Sequence, residues 1–312
     1  MVKPDPRYKD LREKRVLIEQ GVIDPDHTGG RGSYHLRSLF GMRSMLKLFL
    51  RLTGLQKGGE ANARYPVRVD MDFYFPDLPP AFDGFRILHI SDLHVDCLPG
   101  FAEDLKRNLM DVEADVCLMT GDYRFEVSGP LDQVYQNMPV FLDHIQLEHG
   151  TIGILGNHDY LEEAEAIAAM GPRMLVNESM EISREGESIH IIGLDDAHYY
   201  GCDDLPGVVE KLPDNAFKIL MVHSPEIYKD AAEVGCHLYL CGHTHAGQIH
   251  LPVMGPLLLN ANCPRHYCFG SWKYKAMQGY TSAGIGSSMV PVRLLCPPEY
   301  AVITLRRGTG PG

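Results

Sequence analysis

The sequence predicts an α/β body preceded by a basic helical arm, and three observations carry that expectation. Short apolar runs bounded by Gly, Asp or Pro recur from residue 85 onward. They are strand-length and rich in Ile, Val and Leu, the composition of strands covered on both faces. Stretches with helical patterning lie between them, and strands alternating with helices define the α/β class. The charge is also divided: residues 1–66 carry 13 Lys and Arg against 7 Asp and Glu, whereas residues 67–312 carry 16 against 34. An arm at 1–66 and an acidic body at 67–312 follow.

In chain order the strand candidates are FRILHI, ADVCLMT, GTIGILG, IHIIGLD, FKILMVH, CHLYLCG and YAVITL, and the helical stretches run from Phe101 to Met110, Leu131 to Glu148 and Glu162 to Met170. A net charge of −12 argues against a protein that coats nucleic acid. The eight cysteines are scattered through a chain too long to need disulfide staples, so reduced thiols are expected. No run reaches the roughly 18 uncharged apolar residues of a spanning helix. MVKPDPRYKDLREKR lacks the apolar core of a signal peptide, and a cytoplasmic location is expected.

Residues 1–30 are polar, with Pro4, Pro6, Pro25 and Gly29-Gly30, and read as a partly ordered arm. Residues 35–55, HLRSLFGMRSMLKLFLRLTGL, differ. At about 100° per residue Arg37, Arg43, Lys47 and Arg51 share roughly a third of the circumference, and Met42, Met45, Leu46, Leu48, Phe49, Leu50 and Leu52 fill most of the rest. Arg31 to Lys57 contains six basic residues and no acidic one. Such a helix suits the headgroup region of an anionic bilayer; it also suits an apolar seat on the body or on a second subunit, with the basic stripe solvated. LQKGGEANARYP then reads as a linker.

Five segments place metal-binding residue types directly after an apolar run: Ser91-Asp92-Leu93-His94, Gly121-Asp122, Gly156-Asn157-His158-Asp159, His223, and Gly242-His243-Thr244-His245. Ligand sites in α/β sheets lie beyond the carboxyl ends of the strands, so these segments would converge. A lone His at a strand end is ordinarily structural and Gly-Asp is a common turn. Their joint occurrence beside nearly uncharged strands is what points to a site. Asp92 and His94 are two residues apart, as are His243 and His245, and on an extended backbone each pair would point to one side and close on a metal. Imidazole, carboxylate and amide oxygen without thiolate suit Mn, Fe or Zn.

The order D-x-H, G-D, G-N-H-D, H and G-H-x-H resembles the calcineurin-like metallophosphoesterase family over about residues 85–306. The resemblance implies a four-layer αββα sandwich and two divalent metal ions of Mn, Fe or Zn type. By that match Asp92, His94 and His245 hold the first metal, Asn157, His223 and His243 the second, and Asp122 bridges them. His158 is then the catalytic residue that stabilises the transition state or protonates the leaving oxygen. Two cations about 3.5–4 Å apart can supply a bridging hydroxide near neutral pH and neutralise phosphate oxygens during in-line attack. Asp159 would orient His158 or cap the following helix.

Other residues have less definite roles. His89 lies inside a strand and reads as core. His198 and Asp195-Asp196 follow a strand on the same side, either rimming the site or sitting in a solvated loop. In many relatives a second Asp follows the bridging one; here Arg124 stands close instead, to pair with a substrate phosphate or with Glu126. CPRHYC (263–268) lacks the two further ligands of a metal site.

GHTHAGQIHLP followed by AGIGSSMVPVRLLCPPEYAVITL is similar to the branch containing membrane-associated phosphoesterases and UDP-2,3-diacylglucosamine pyrophosphohydrolases of lipid A synthesis, with Ala246 where that branch often has Gly. The resemblance implies hydrolysis of a phosphodiester or pyrophosphate in a lipid-linked substrate such as UDP-2,3-diacylglucosamine, with residues 35–55 touching the inner face of the cell membrane. LPVMGPLLL (251–259) adds apolar residues after the last motif, for an amphiphilic substrate or in a buried hairpin. The alternative is a soluble phosphodiesterase or phosphatase for cyclic nucleotides or other small phosphate esters. A scaffold on a degenerate fold is disfavoured, since no ligand position is missing.

Overall fold

In the computed structural model, which describes residues 6–24, 30–31 and 40–310, two six-stranded sheets face each other. The first runs β1 (Val67–Phe75), β14 (Glu299–Arg307), β2 (Arg86–Ile90), β3 (Val116–Met119), β4 (Thr151–Gly153), β5 (Arg173–Met174). Only the β14–β2 pair is antiparallel. The second runs β12 (Gly270–Tyr274), β13 (Met277–Thr281), β9 (Leu238–Cys241), β8 (Lys218–Met221), β7 (Glu187–Gly193), β6 (Glu178–Arg184). Its outer pairs are antiparallel and its centre is parallel. A small hairpin, β10 (His250–Leu251) and β11 (Gly255–Pro256), stands outside both sheets.

Alternation along the central strands builds the layers. Ile87, Val116, Leu118, Ile219, Met221, Leu238 and Leu240 pack between the sheets. Their neighbours Leu88, Ile90, Cys117 and Met119 face α4 (Phe101–Asn108), α5 (Asp132–Leu142) and α6 (Leu161–Ala168). Leu220, Tyr239 and Cys241 face α7 (Leu205–Val209) and α8 (Tyr228–Glu233) on the opposite side. Helices therefore cover both outer faces, the αββα arrangement. The sequence made visible the central strands with apolar residues on both faces; β1 and β6, half-exposed along much of their length, were not visible, nor were β5, β12 and the largely buried β13.

Three helices precede β1: α1 (Pro6–Glu19), α2 (Phe40–Leu52) and α3 (Leu55–Asn62). Residues 1–5 and 25–29 of the expected arm, and 35–39 of the expected amphipathic helix with Arg37, lie outside the described residues. Where a partly ordered arm was expected, α1 is a docked helix: Ile18 is buried with Tyr200 and Cys202. The expected linker is also helical. Lacking a Cβ, Gly59 of α3 sits directly against Val292 and Leu294, and its carbonyl accepts the Arg293 amide at 2.9 Å. No described helix is long and apolar enough to cross a membrane.

Candidate metal centre

Loops after β2, β3 and β4 of the first sheet and after β8 and β9 of the second bring the predicted residues together. Asp92, His94, Asp122, His243 and His245 all have positive φ, between 39° and 69°. This left-handed backbone is uncommon for residues with a side chain and persists only where neighbours enforce it. The expectation that D-x-H and H-x-H pairs converge by strand alternation is therefore corrected: sharp turns aim these side chains. The enforcing bonds run between loops that are distant in sequence. The Asp92 and His94 amides donate to the carbonyls of Gly121 (3.0 Å) and Asp122 (2.9 Å). The Asp159 carboxylate accepts the amides of Asp122, Tyr123 and Gly156, each at 2.8 Å. Asp92 accepts the His243 amide, and Asp122 the His158 amide at 2.9 Å. At Gly156 any Cβ would strike the Asp122 carboxylate, and at Gly242 it would strike Ser91 and Asp92.

Three overlapping groups each bring their ligand atoms within 4.8 Å of one another: Asp92, His94 and His245; Asp92, Asp122 and His223; His94, Asp122 and His158. His245 Nε2 lies 3.3 Å from Asp92 Oδ1, and His223 Nε2 lies 3.3 Å from Asp122 Oδ2. All are buried. The rings are oriented from behind. The Nδ1–H groups of His94, His158 and His223 face the carbonyls of Arg124 (2.6 Å), Phe125 (2.9 Å) and Thr120 (2.7 Å). That bond fixes the tautomer and leaves Nε2 as the lone pair toward the cluster, as metal-ligating histidines require. Asn157 Oδ1, His223 Nε2 and His243 Nε2 are buried with no hydrogen-bond partner. Buried polar atoms without a hydrogen bond are costly, and a divalent cation satisfies all three once the histidines are neutral. These residues fit such ions. The two histidines of the last motif part company: His245 joins Asp92 and His94, whereas the His243 ring lies 5.1 Å from that of His223.

Electrostatics agree with a cation site. Burial alone would raise Asp122, yet His223, His158 and His94 hold its carboxyl well below the usual carboxylate range. Burial pulls His223 down, but Asp122 and Asp92 carry it up to about 10, so an imidazolium offsets the carboxylates in the metal-free cluster. Burial keeps His243 and His245 well below the ordinary imidazole value, reinforced by His198 for the former and Arg293 for the latter. Neutral imidazole is the form that binds a metal.

Other expectations resolve differently. Asp159 touches backbone amides of three loop residues rather than the His158 ring. Arg124 meets neither a site facing substrate nor Glu126. It is buried over the Tyr160 ring, 3.5 Å from Glu163, and donates to the Gly129 carbonyl at 3.0 Å. Glu126 pairs instead with Arg43 of α2. His198 is buried, its Nδ1 2.6 Å from Glu226 and its ring centroid 4.0 Å from that of His243. Asp196 accepts the amides of His198, Tyr199 and Tyr200, so this loop is built, not solvated. His89 is core, 2.9 Å from the Thr120 hydroxyl. In CPRHYC the two sulfurs lie 3.7 Å apart, and neither joins a candidate metal group among the described residues.

Two arginines escaped the sequence. Arg293, fully buried, donates from Nη1 to the His245 carbonyl (3.1 Å), and its Nη2 also binds the carbonyls of Ala283, Gly284 and Gly286. Arg15 of α1 reaches the carbonyls of Gly156 and Asp159. The isolated Arg in the apolar run MVPVRLL was the available signal for Arg293; Arg15 had none.

Fold and centre together define a metal-dependent hydrolase of phosphate esters. The calcineurin-like phosphoesterase family matches residues 85–247, more than half of the sequence, and the chain belongs to that family. It is similar to the uncharacterized metallophosphoesterase YkuE of Bacillus subtilis (31% identical over 239 residues, 73% of this chain and 82% of that one). It is also similar to YkoQ of the same organism (29% over 240 residues, 70% and 83%) and to the phosphodiesterase YaeI of Escherichia coli (25% over 234 residues, 71% and 82%).

Proposed function

We propose that this chain is a dinuclear phosphodiester or pyrophosphate hydrolase that acts on a lipid-linked substrate at a bilayer surface, with UDP-2,3-diacylglucosamine the first substrate to test. In this reading residues 67–312 are the catalytic domain and residues 1–66 an N-terminal arm whose residues 35–55 contact the membrane. Asp92, His94 and His245 would hold one divalent cation, Asn157, His223 and His243 the other, and Asp122 would bridge them. When bound, the ions supply Lewis acidity and an activated water. The protein's part is to fix geometry and move a proton. With Nδ1 committed to the Phe125 carbonyl, His158 presents Nε2 to the cluster, 3.8 Å from Asp122 Oδ2. Once Nε2 has taken up a proton from solvent, the resulting imidazolium can donate it to the leaving oxygen. The name of YaeI supports a diester among the bonds cleaved.

The observation that carries the lipid reading is an apolar surface left exposed among the described residues. Leu50 of α2 is buried, with Leu46 beside it, against Ile249, Val290 and Val292. Four further apolar side chains of α2, Met45 (73% exposed), Leu48, Phe49 and Leu52, face outward, while those of Phe40 and Met42 lie outside the described residues. Ile249 leads directly into the β10–β11 hairpin, whose Leu251, Val253 and Met254 are also exposed, with Leu257 just beyond. This hairpin follows the His243–His245 loop. Arg43 of α2 binds Glu126 at 2.7 Å, next to the Phe125 carbonyl that holds His158. A basic, apolar surface adjoining the centre suits an anionic bilayer.

A substrate panel with Mn²⁺ tests this. Turnover of UDP-2,3-diacylglucosamine in anionic vesicles is expected to exceed that of cyclic nucleotides, and to fall when the exposed apolar side chains of α2 are replaced by Ser while bis-p-nitrophenyl phosphate hydrolysis persists. Preference for cyclic nucleotides, with full-length protein left in solution by vesicle flotation, would support the soluble alternative.

A further inference from the structure

We propose that Arg15 and Glu19 of α1 are positioning residues for the reaction, holding the segment 156–161 and through it the Asn157 amide and the His158 imidazole. The matched family segment begins at residue 85, so this support comes from outside it.

Arg15 is fully buried. Its Nη2 donates to the Gly156 carbonyl (3.3 Å) and the Asp159 carbonyl (2.8 Å), the residues immediately before and after Asn157-His158. Its Nη1 binds the Asp195 carboxylate, its Nε lies 3.0 Å from Glu19 Oε1, and the guanidinium stacks 4.1 Å from the Tyr200 ring centroid. The same Glu19 oxygen accepts the amide of Leu161, the first residue of α6, at 2.8 Å. Two side chains one helical turn apart thus pin the loop at both ends. From the opposite side the loop is held by Asp122, which accepts the His158 amide, and by the Asp159 carboxylate, which ties Gly156 to Asp122 and Tyr123.

A planar guanidinium suits this task because one group can serve two carbonyls and two carboxylates at fixed angles; an ammonium cannot. Its burial is tolerable because the charge is paired twice. Without it, two buried carbonyls lose their donor and Asp195 its cationic partner, and of the anchors away from the metal side the Glu19–Leu161 bond is left.

The test uses the full chain carrying Arg15→Ala, Arg15→Lys or Glu19→Ala. Three quantities are read: kcat and KM for bis-p-nitrophenyl phosphate with Mn²⁺, stepwise Mn²⁺ binding by electron paramagnetic resonance, and amide hydrogen exchange in metal-free protein. Arg15→Ala is expected to lower kcat by at least about ten-fold with KM changed less than about two-fold. It should weaken the second Mn²⁺ step and not the first, and speed exchange at residues 156–161 and not across the sheets. Glu19→Ala should show the same pattern, smaller. Arg15→Lys retains the charge beside Asp195, and its exchange at 156–161 should fall between wild type and Arg15→Ala. The proposal is overturned if a folded Arg15→Ala protein keeps wild-type kcat and exchange. It is equally overturned if both Mn²⁺ steps weaken together while exchange rises throughout. Should Arg15→Ala not fold, Arg15→Lys is read by the same criteria.

Discussion

The two helices α1 and α2 stand close in sequence and differ in the way opposite to their composition. α1, PRYKDLREKRVLIE, is the more polar, yet it docks and buries Arg15 and Ile18. α2, FGMRSMLKLFLRL, is the more apolar, yet it seats Leu50 and leaves Met45, Leu48, Phe49 and Leu52 in the open. Burial follows the available partner as well as the side chain. A guanidinium can be buried where carbonyls and carboxylates meet its donors, and an apolar stripe stays exposed where no surface of the chain covers it. The contrast separates the helices: α1 faces inward to the centre, and α2 leaves outward the apolar face proposed to meet a lipid surface.

Substitutions can break this contrast, beginning with one that should make both helices irrelevant. Asp122→Asn is expected to lower turnover of every substrate by at least about 10³-fold and to reduce metal content, measured by elemental analysis beside kcat. His158→Asn should lower kcat by about 10²- to 10⁴-fold while metal content stays near wild type; parallel loss of both would remove its assigned role. Arg15→Ala, a positioning defect, should cost soluble and lipid substrates alike. Replacing Met45, Leu48 and Phe49 together by Ser should lower vesicle binding and lipid turnover by about ten-fold or more, with bis-p-nitrophenyl phosphate unchanged, since each exposed side chain is worth up to about 2 kcal/mol when inserted. Loss of both activities would instead give α2 a structural task. The smallest effect, a few-fold loss confined to lipid turnover, is expected for Val253→Ser with Met254→Ser at the hairpin tip. Raising salt should weaken the attachment of α2 further, because Lys47 and Arg51 act through screened charge.

The strand-end motifs were legible because the chemistry demands particular side chains, and Asp, His and Asn stand out beside uncharged strands. Their backbone was not legible: five of these residues are left-handed, a conformation imposed by hydrogen bonds from distant loops such as that of Asp159. Arg124 read as a partner for a substrate phosphate or for Glu126 because the sequence cannot show that Glu163 and Tyr160 surround it. α3 looked like a linker because of Gly58-Gly59, yet Gly59 is what lets this helix approach Val292 closely. Arg15 was hidden for a simpler reason: two of its partners are backbone carbonyls, which every residue possesses. The hairpin at LPVMGPLLL was anticipated as a buried alternative, but Val253 and Met254 at its tip are exposed.

A two-metal centre is the claim on which the rest depends, and counting ions tests it most directly. Mn²⁺ titration of metal-free protein should give two bound ions per chain, and Asn157→Ala should retain the ion assigned to Asp92, His94 and His245 while losing the other. A single ion in the wild-type chain, or two undiminished ions in Asn157→Ala, would contradict it.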